Sequence, residues 1–443
     1  MKRLFFLILN GLLMLLFVVA MWQDTNREWN HYQRAFLKTL AKEERRGLQG
    51  GIKQILATDL RRVDRCTTCH LAIDKPQLAL AEEPFTAHPG QFLQWHPPEK
   101  FGCTVCHGGQ GLATEVKAAH GDVPHWEEPL LRGRLVQASC RQCHGDLTAI
   151  KEHVPVLAKG RELFKAKGCY GCHAVNDFGQ TVSQDLTEVG SKSYLLLEAD
   201  FENMDPPHDR IHWLMSKLEN PRHLNPGVRP EQLPPGEEEV FPSAMPNFGL
   251  SEEERAALTT YLLSLNASSL PAKYVTHEPA EPAQTFASQI DRGEAVFKKF
   301  GCAGCHGVDG VGGRHNWNGG LGEEVPSLLY VKAYYGNNVE ALKSLIRLGR
   351  QPVPRADAHR PNPALYMPPW KDRIQEEEID ALVAYLFSLA DRLPQPAAPA
   401  AAPAAEPTPE PQAQSQPRPL SAAAGRLRLA APQPSDSAPE RLN

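Results

Sequence analysis

Every cysteine in the chain falls in one pattern, C-x-x-C-H, and the pattern occurs five times. The sites are Cys66–Cys69–His70, Cys103–Cys106–His107, Cys140–Cys143–His144, Cys169–Cys172–His173 and Cys302–Cys305–His306. No cysteine is left over. A disulfide framework would give no reason for a histidine after each pair. A single match is compatible with half of a zinc site, but five matches that use all ten cysteines leave zinc little room.

In this pattern the two thiols form thioethers to the vinyl groups of a porphyrin, and the adjacent histidine becomes the proximal ligand of its iron. The sequence therefore predicts five covalently attached c-type haems, with His70, His107, His144, His173 and His306 on the irons. The second axial ligand sets the chemistry, because methionine raises the potential and an open position admits substrate. Met245 lies in Ala244-Met245-Pro246 and Met367 in Tyr366-Met367-Pro368, 72 and 61 residues after His173 and His306. Each is followed by proline and stands shortly before a helical stretch, which favours ligation over core filling. Met204 and Met215 have no such counterpart and read as packing.

The region of the first three motifs contains no methionine, so its distal ligands are expected to be histidines. Candidates between the first and third sites are His88, His96, His120 and His125. The first choices are His88, His120 and His125. His96 comes next, since it precedes Pro97-Pro98, a pair suited to fixing a turn. His31 and His153 stay open, while His208, His212, His223, His277, His315 and His359 read as surface or packing residues.

The apolar run from Leu4 to Trp22 follows Lys2 and Arg3 and approaches the roughly 20 residues that span a bilayer. It lacks a small-x-small cleavage site. It reads as an uncleaved single-pass signal-anchor over 1–23, in contact with membrane lipid, with the basic residues inside. Residues 24–58 are expected to form a stalk helix or, equally, an amphipathic helix packing on the first haem region, and 59–155 a triheme domain, irregular and organised by haem rather than by an ordinary core. Residues 156–270 and 287–391 read as duplicated monohaem α-helical domains, since Gly160–His173 (GRELFKAKGCYGCH) and Gly293–His306 (GEAVFKKFGCAGCH) are visibly alike. Ser251 and Glu254 form a capping-box signature. From 395 to 443 the chain is Pro/Ala-rich, lacks a core pattern and is expected to be disordered. The fold class is thus mainly α. A formal charge of −5 excludes a strongly basic nucleic-acid footprint.

The helix into C-x-x-C-H, the Met-Pro loop and the following helix make 156–270 and 287–391 resemble class I cytochrome c domains, over about half of the chain. That resemblance implies His173/Met245 and His306/Met367 as axial pairs and electron transfer as the activity. The triheme segment (VDRCTTCHLAID, HPPEKFGCTVCHGGQG, ASCRQCH) resembles anchored multihaem cytochromes that accompany bacterial respiratory complexes, including quinol-oxidising ones. It implies respiratory-complex subunits and redox proteins as partners. It also implies a place on the periplasmic side of the inner membrane. The expected function is passage of electrons from such a partner to a high-potential acceptor. The alternative is a multihaem enzyme, a peroxidase or nitrogen-oxide reductase, with one open iron. Paired acids such as Glu252–Glu254 begin helices, where the dipole favours negative charge, and no catalytic residue is assigned.

Overall fold

The computed structural model describes residues 2–124, 126–176, 178–180, 183–197, 204, 207–224, 243, 245–267, 270–277, 285–312, 324–350 and 366–393. The protein is mainly helical. His125, His315, His359 and the segment 395–443 lie outside the described residues.

Helix α1, Lys2–Thr25, is apolar along its length, with a mean hydropathy of 2.8, and none of it is buried by the rest of the chain. It is long and apolar enough to cross a membrane. Helix α2, Glu28–Thr39, follows almost at once and ends where Leu40 turns extended, so the stalk is helical over only part of 24–58. Its amphipathic face buries Phe36 and Leu40 against Ala72, Leu71, Leu78 and Phe85.

The region of the first three motifs contains one antiparallel pair, β1 (Ile55–Ala57) with β2 (Arg62–Asp64). It also holds four helices of a single turn: α3 (Phe92–Trp95), α4 (Pro98–Phe101), α5 (Thr104–His107) and α6 (Val116–Ala119). Segments this short cannot bury a conventional core. Turns and side-chain hydrogen bonds hold them instead.

The duplication is visible in the packing. Helix α7 (Pro155–Ala166) crosses α9 (Glu252–Ser264), with α8 (Arg210–Glu219) between them in sequence, and α10 (Gln289–Lys299) crosses α14 (Glu376–Ser388), with α11 (Ala303–His306), α12 (Val331–Tyr335) and α13 (Val339–Leu348) between those two. At both crossings a glycine lets the backbones touch. A Cβ on Gly160 would strike the Ala257 carbonyl, and one on Gly293 would strike that of Ala381. One turn on, the same aromatic pair recurs: Phe164–Tyr261 and Phe297–Tyr385, each with ring centroids 5.4 Å apart. Helix starts are capped as the sequence suggests. Ser251 Oγ accepts from the Glu254 N–H at 3.2 Å, and the Ser251 N–H donates to Glu254 at 3.1 Å.

Two further features tie the parts together. Ala138, Leu135 and Cys140 of the third-motif segment share one core with α7 and α9, so this core runs across the expected boundary at 155/156. Residues 270–277 run back over the triheme region as a strap. The Thr276 N–H donates to Cys143 O (2.7 Å), the Gly145 N–H to Thr276 O (3.0 Å), and Lys273 and Tyr274 both reach Asp59.

Candidate haem-binding sites

The five motifs share one local geometry. In each, the histidine N–H donates to the carbonyl of the first cysteine, at 3.0 Å for His70, His107 and His173 and 2.9 Å for His144 and His306. The second cysteine's N–H reaches the same carbonyl at 3.1–3.3 Å. This tight turn holds the two cysteines and the histidine within a single turn of backbone, a compactness that attachment to one macrocycle requires. No disulfide joins any of the ten cysteines, and each is half-buried. Among the described residues no group of three or more His, Cys, Asp or Glu side chains is placed to hold a lone metal ion.

Opposite each of the first three proximal histidines stands a second imidazole. Ring centroids are 6.4 Å apart for His70–His120, 6.1 Å for His88–His107 and 6.1 Å for His96–His144. Metal–imidazole bonds of about 2 Å each, with ring centres about 1.1 Å beyond each nitrogen, put two trans imidazoles on one iron about 6 Å apart. The observed spacing fits that arrangement in all three cases. His88 Nδ1 lies 3.0 Å from the Pro89 carbonyl and His96 Nδ1 3.3 Å from that of Phe92. Such a contact fixes the ring and leaves Nε2 as the free lone pair. Burial lowers the values of all five proximal imidazoles and of His120, favouring the neutral form that ligates.

His88 and His120, two of the first choices, thus stand opposite His107 and His70. His96, ranked behind His125 in the sequence reading, faces His144. Pro97 and Pro98 do fix a turn, since Pro98 opens α4, and that turn delivers the His96 ring to the third motif. His153 instead packs on Trp95 (5.0 Å) and Phe92 (6.5 Å), and His31 is exposed.

In the duplicated domains His173 Nδ1 lies 2.7 Å from the Gln184 carbonyl, and the buried His306 Nδ1 faces that of Pro326 without a well-aligned hydrogen bond. Met245 packs, half-buried, on the core that includes Cys169, and Met367 on the core that includes Cys302. Met204 is buried in the first of these cores, and Met215 Sδ accepts from Thr259 Oγ1 at 3.2 Å. The buried Trp213 indole N–H, in the core that holds Met245, lacks an acceptor among the described residues, as suits a pocket built around a group that brings its own.

The motifs are also bonded to one another, through residues no motif signalled. Asp64, 1% exposed, accepts from the Cys103 N–H (2.6 Å), the Thr104 N–H (3.0 Å) and Thr104 Oγ1 (2.7 Å), so the first motif's approach strand holds the second motif. The neighbouring Cys66 thiol, together with burial, raises the Cys103 thiol above its ordinary value. Ser139 Oγ donates to Cys106 O at 2.6 Å, joining the second motif to the third. Between the duplicated domains the contact is reciprocal. Gly168 packs on Gly304 and Gly171 on Gly301; a Cβ on Gly168, Gly301 or Gly304 would strike the facing backbone, one on Gly171 would fit only tightly, and Tyr170 donates to the Lys298 carbonyl. Since 168 corresponds to 301 and 171 to 304, this is the self-complementary contact of a local two-fold.

Comparison with known proteins agrees with this geometry. Residues 157–266 and 290–390 match the family model described as cytochrome c. The cbb3-type cytochrome c oxidase subunit CcoP of Helicobacter pylori is 25% identical over 136 residues, 29% of this chain and 42% of that protein. CcoP of Helicobacter pylori strain 52 is 24% identical over 136 residues, with 29% and 41% covered. The chain thus spans about two fifths of the length of the curated relatives it matches. No solved structure matches.

Proposed function

Given that the chain belongs to the multihaem c-type cytochromes, we propose that it transfers electrons through five covalently bound haems. It would do so between a membrane respiratory partner, of quinol-oxidising type, and a high-potential acceptor. The observation that carries the count and the role is the set of three opposed imidazole pairs at 6.1–6.4 Å, beside two domains of cytochrome c type. Haem, when bound, supplies one-electron oxidation and reduction at its iron.

The chain's own residues do the rest. The ten cysteines fix the macrocycles. His70/His120, His107/His88 and His144/His96 would hold the irons of the first three haems from both sides, and His173/Met245 and His306/Met367 those of the fourth and fifth. A site closed on both faces has no position for a substrate, which supports a carrier over a peroxidase or reductase. Histidine pairs in the triheme region and methionine in the duplicated domains bias the first three sites toward lower potential. Helix α1 anchors the chain as a single pass, with the haem domains on the periplasmic side of the inner membrane. The names of the relatives support association with oxidase-type respiratory subunits.

Low-temperature electron paramagnetic resonance of the oxidised protein, with spin quantitation and a haem count, tests this reading. Five low-spin centres per chain are expected. One high-spin centre would move the reading to an enzyme with an open iron.

A further inference from the structure

The first haem site is built on the helix that follows the candidate membrane span, from both sides at once. Gln33 of α2 is buried, and its Nε2 donates to the carbonyl of Thr68 (3.0 Å), which lies between Cys66 and Cys69. The same amide is locked to Gly51, donating to its carbonyl at 2.7 Å and accepting from its N–H at 2.9 Å. Thr68 itself is closed in by two 3.0 Å contacts with the Lys53 backbone. One and a half turns earlier, Glu28 accepts at 2.8 Å from the N–H of Val116, which opens the single turn α6 that ends at His120. Glu28 also lies within electrostatic reach of Cys69 and of the His120 ring. One short helix thus grips the proximal arm of the first site through Gln33 and the opposing arm through Glu28.

That helix begins three residues after α1 ends. At 1.5 Å of rise per residue, the eleven residues from Trp22 to Gln33 advance by about 16 Å at most while helical. The brace therefore lies within one helix diameter or two of the end of the apolar span. None of the other four motifs has a described hydrogen bond to α1 or α2.

Resting on the electron-transfer reading above, we propose that the first site is the membrane-facing port of the chain. Glu28 and Gln33 are its positioning residues, and the partner that meets it is embedded in, or level with, the lipid headgroups. The other four sites then lie farther from the bilayer, reached by way of the second motif through Asp64.

The test uses the full chain, loaded with haem, in phosphatidylcholine liposomes containing a small fraction of a nickel-chelating lipid. Spin relaxation of each low-spin signal is measured with and without nickel. One signal of the bis-histidine type is expected to relax faster than the other four, and Gln33→Ala and Glu28→Ala are expected to alter the shape of that same signal alone. A uniform effect, or a strongest effect on a methionine-ligated signal, overturns the port. The wild-type measurement stands by itself if a variant fails to fold. Haem-peptide mapping of the same sample separates the two readings. Haem missing at Cys66–Cys69 removes both, whereas haem present there with a uniform nickel effect removes this one only.

Discussion

Asp64 shows what a single carboxylate does in a region with only small apolar clusters. It is buried, yet every lone pair in use meets a donor from the second motif. Replacement by alanine would leave two backbone N–H groups and a hydroxyl without acceptors, at about 1–3 kcal/mol for each buried group left unsatisfied. Asp64→Ala is expected to destabilise by at least about 2 kcal/mol in denaturant titration and to lower haem occupancy at Cys103–Cys106. Asp64→Asn, which keeps an acceptor, should cost less. Nothing in Val63-Asp64-Arg65 marks this role in the sequence, because it depends on contact with residues about forty positions away. The distal histidines were legible as a set and not one by one. His88 and His96 precede the motifs they face, and His120 follows its own. Spacing does not encode such pairings; turns such as His96-Pro97-Pro98 do.

At the scale of elements, the helices of the duplicated domains were read correctly because their signals are local. Ser251 with Glu254 is a cap wherever the chain goes, and Ser251→Ala is expected to cost about 1 kcal/mol, seen as a lowered unfolding midpoint. The crossing glycines are another matter. In Gly293-Glu294-Ala295-Val296-Phe297 the glycine looks like a weak point in a helix, and its reason appears only when Ala381 is laid across it. Gly293→Ala must push α10 off α14 and disturb Phe297 and Tyr385, both almost fully buried. The expected loss is about 1–3 kcal/mol, the range for overpacking. Circular dichroism melts of Gly293→Ala and Ser251→Ala should rank the two. The stalk was over-extended in the sequence reading, since Asn26 to Arg46 has few breakers but the chain leaves the helix at Leu40 to bury it.

For the whole molecule, the strap 270–277 decides how the last motif of the triheme region is held. Hydrogen bonds from Lys273 and then Tyr274 hold the Asp59 carboxyl below its ordinary value. A group lowered in this way contributes stability above its unfolded-state value and loses that contribution as pH falls through the folded one. Amide exchange at Thr276 and Gly145 is therefore expected to stay slow down to about pH 4 and to accelerate below it. Unchanged protection well below that pH would show that the Asp59 contacts do not hold the strap. Both Asp59 and Lys273 are exposed, so high salt should weaken the contact as well.

The reciprocal packing of Gly168 on Gly304 and Gly171 on Gly301 also bears on inheritance. After a duplication, two copies are ordinarily free to drift apart, each answering only to its own interior. Here each copy forms part of the wall of the other, at the very loops that carry the cofactor. At three of these positions a side chain would have to displace the backbone of the sibling, and at the fourth, Gly171, it would fit only tightly. The two halves are thus held to small residues along this seam, however far the rest of their sequences diverge.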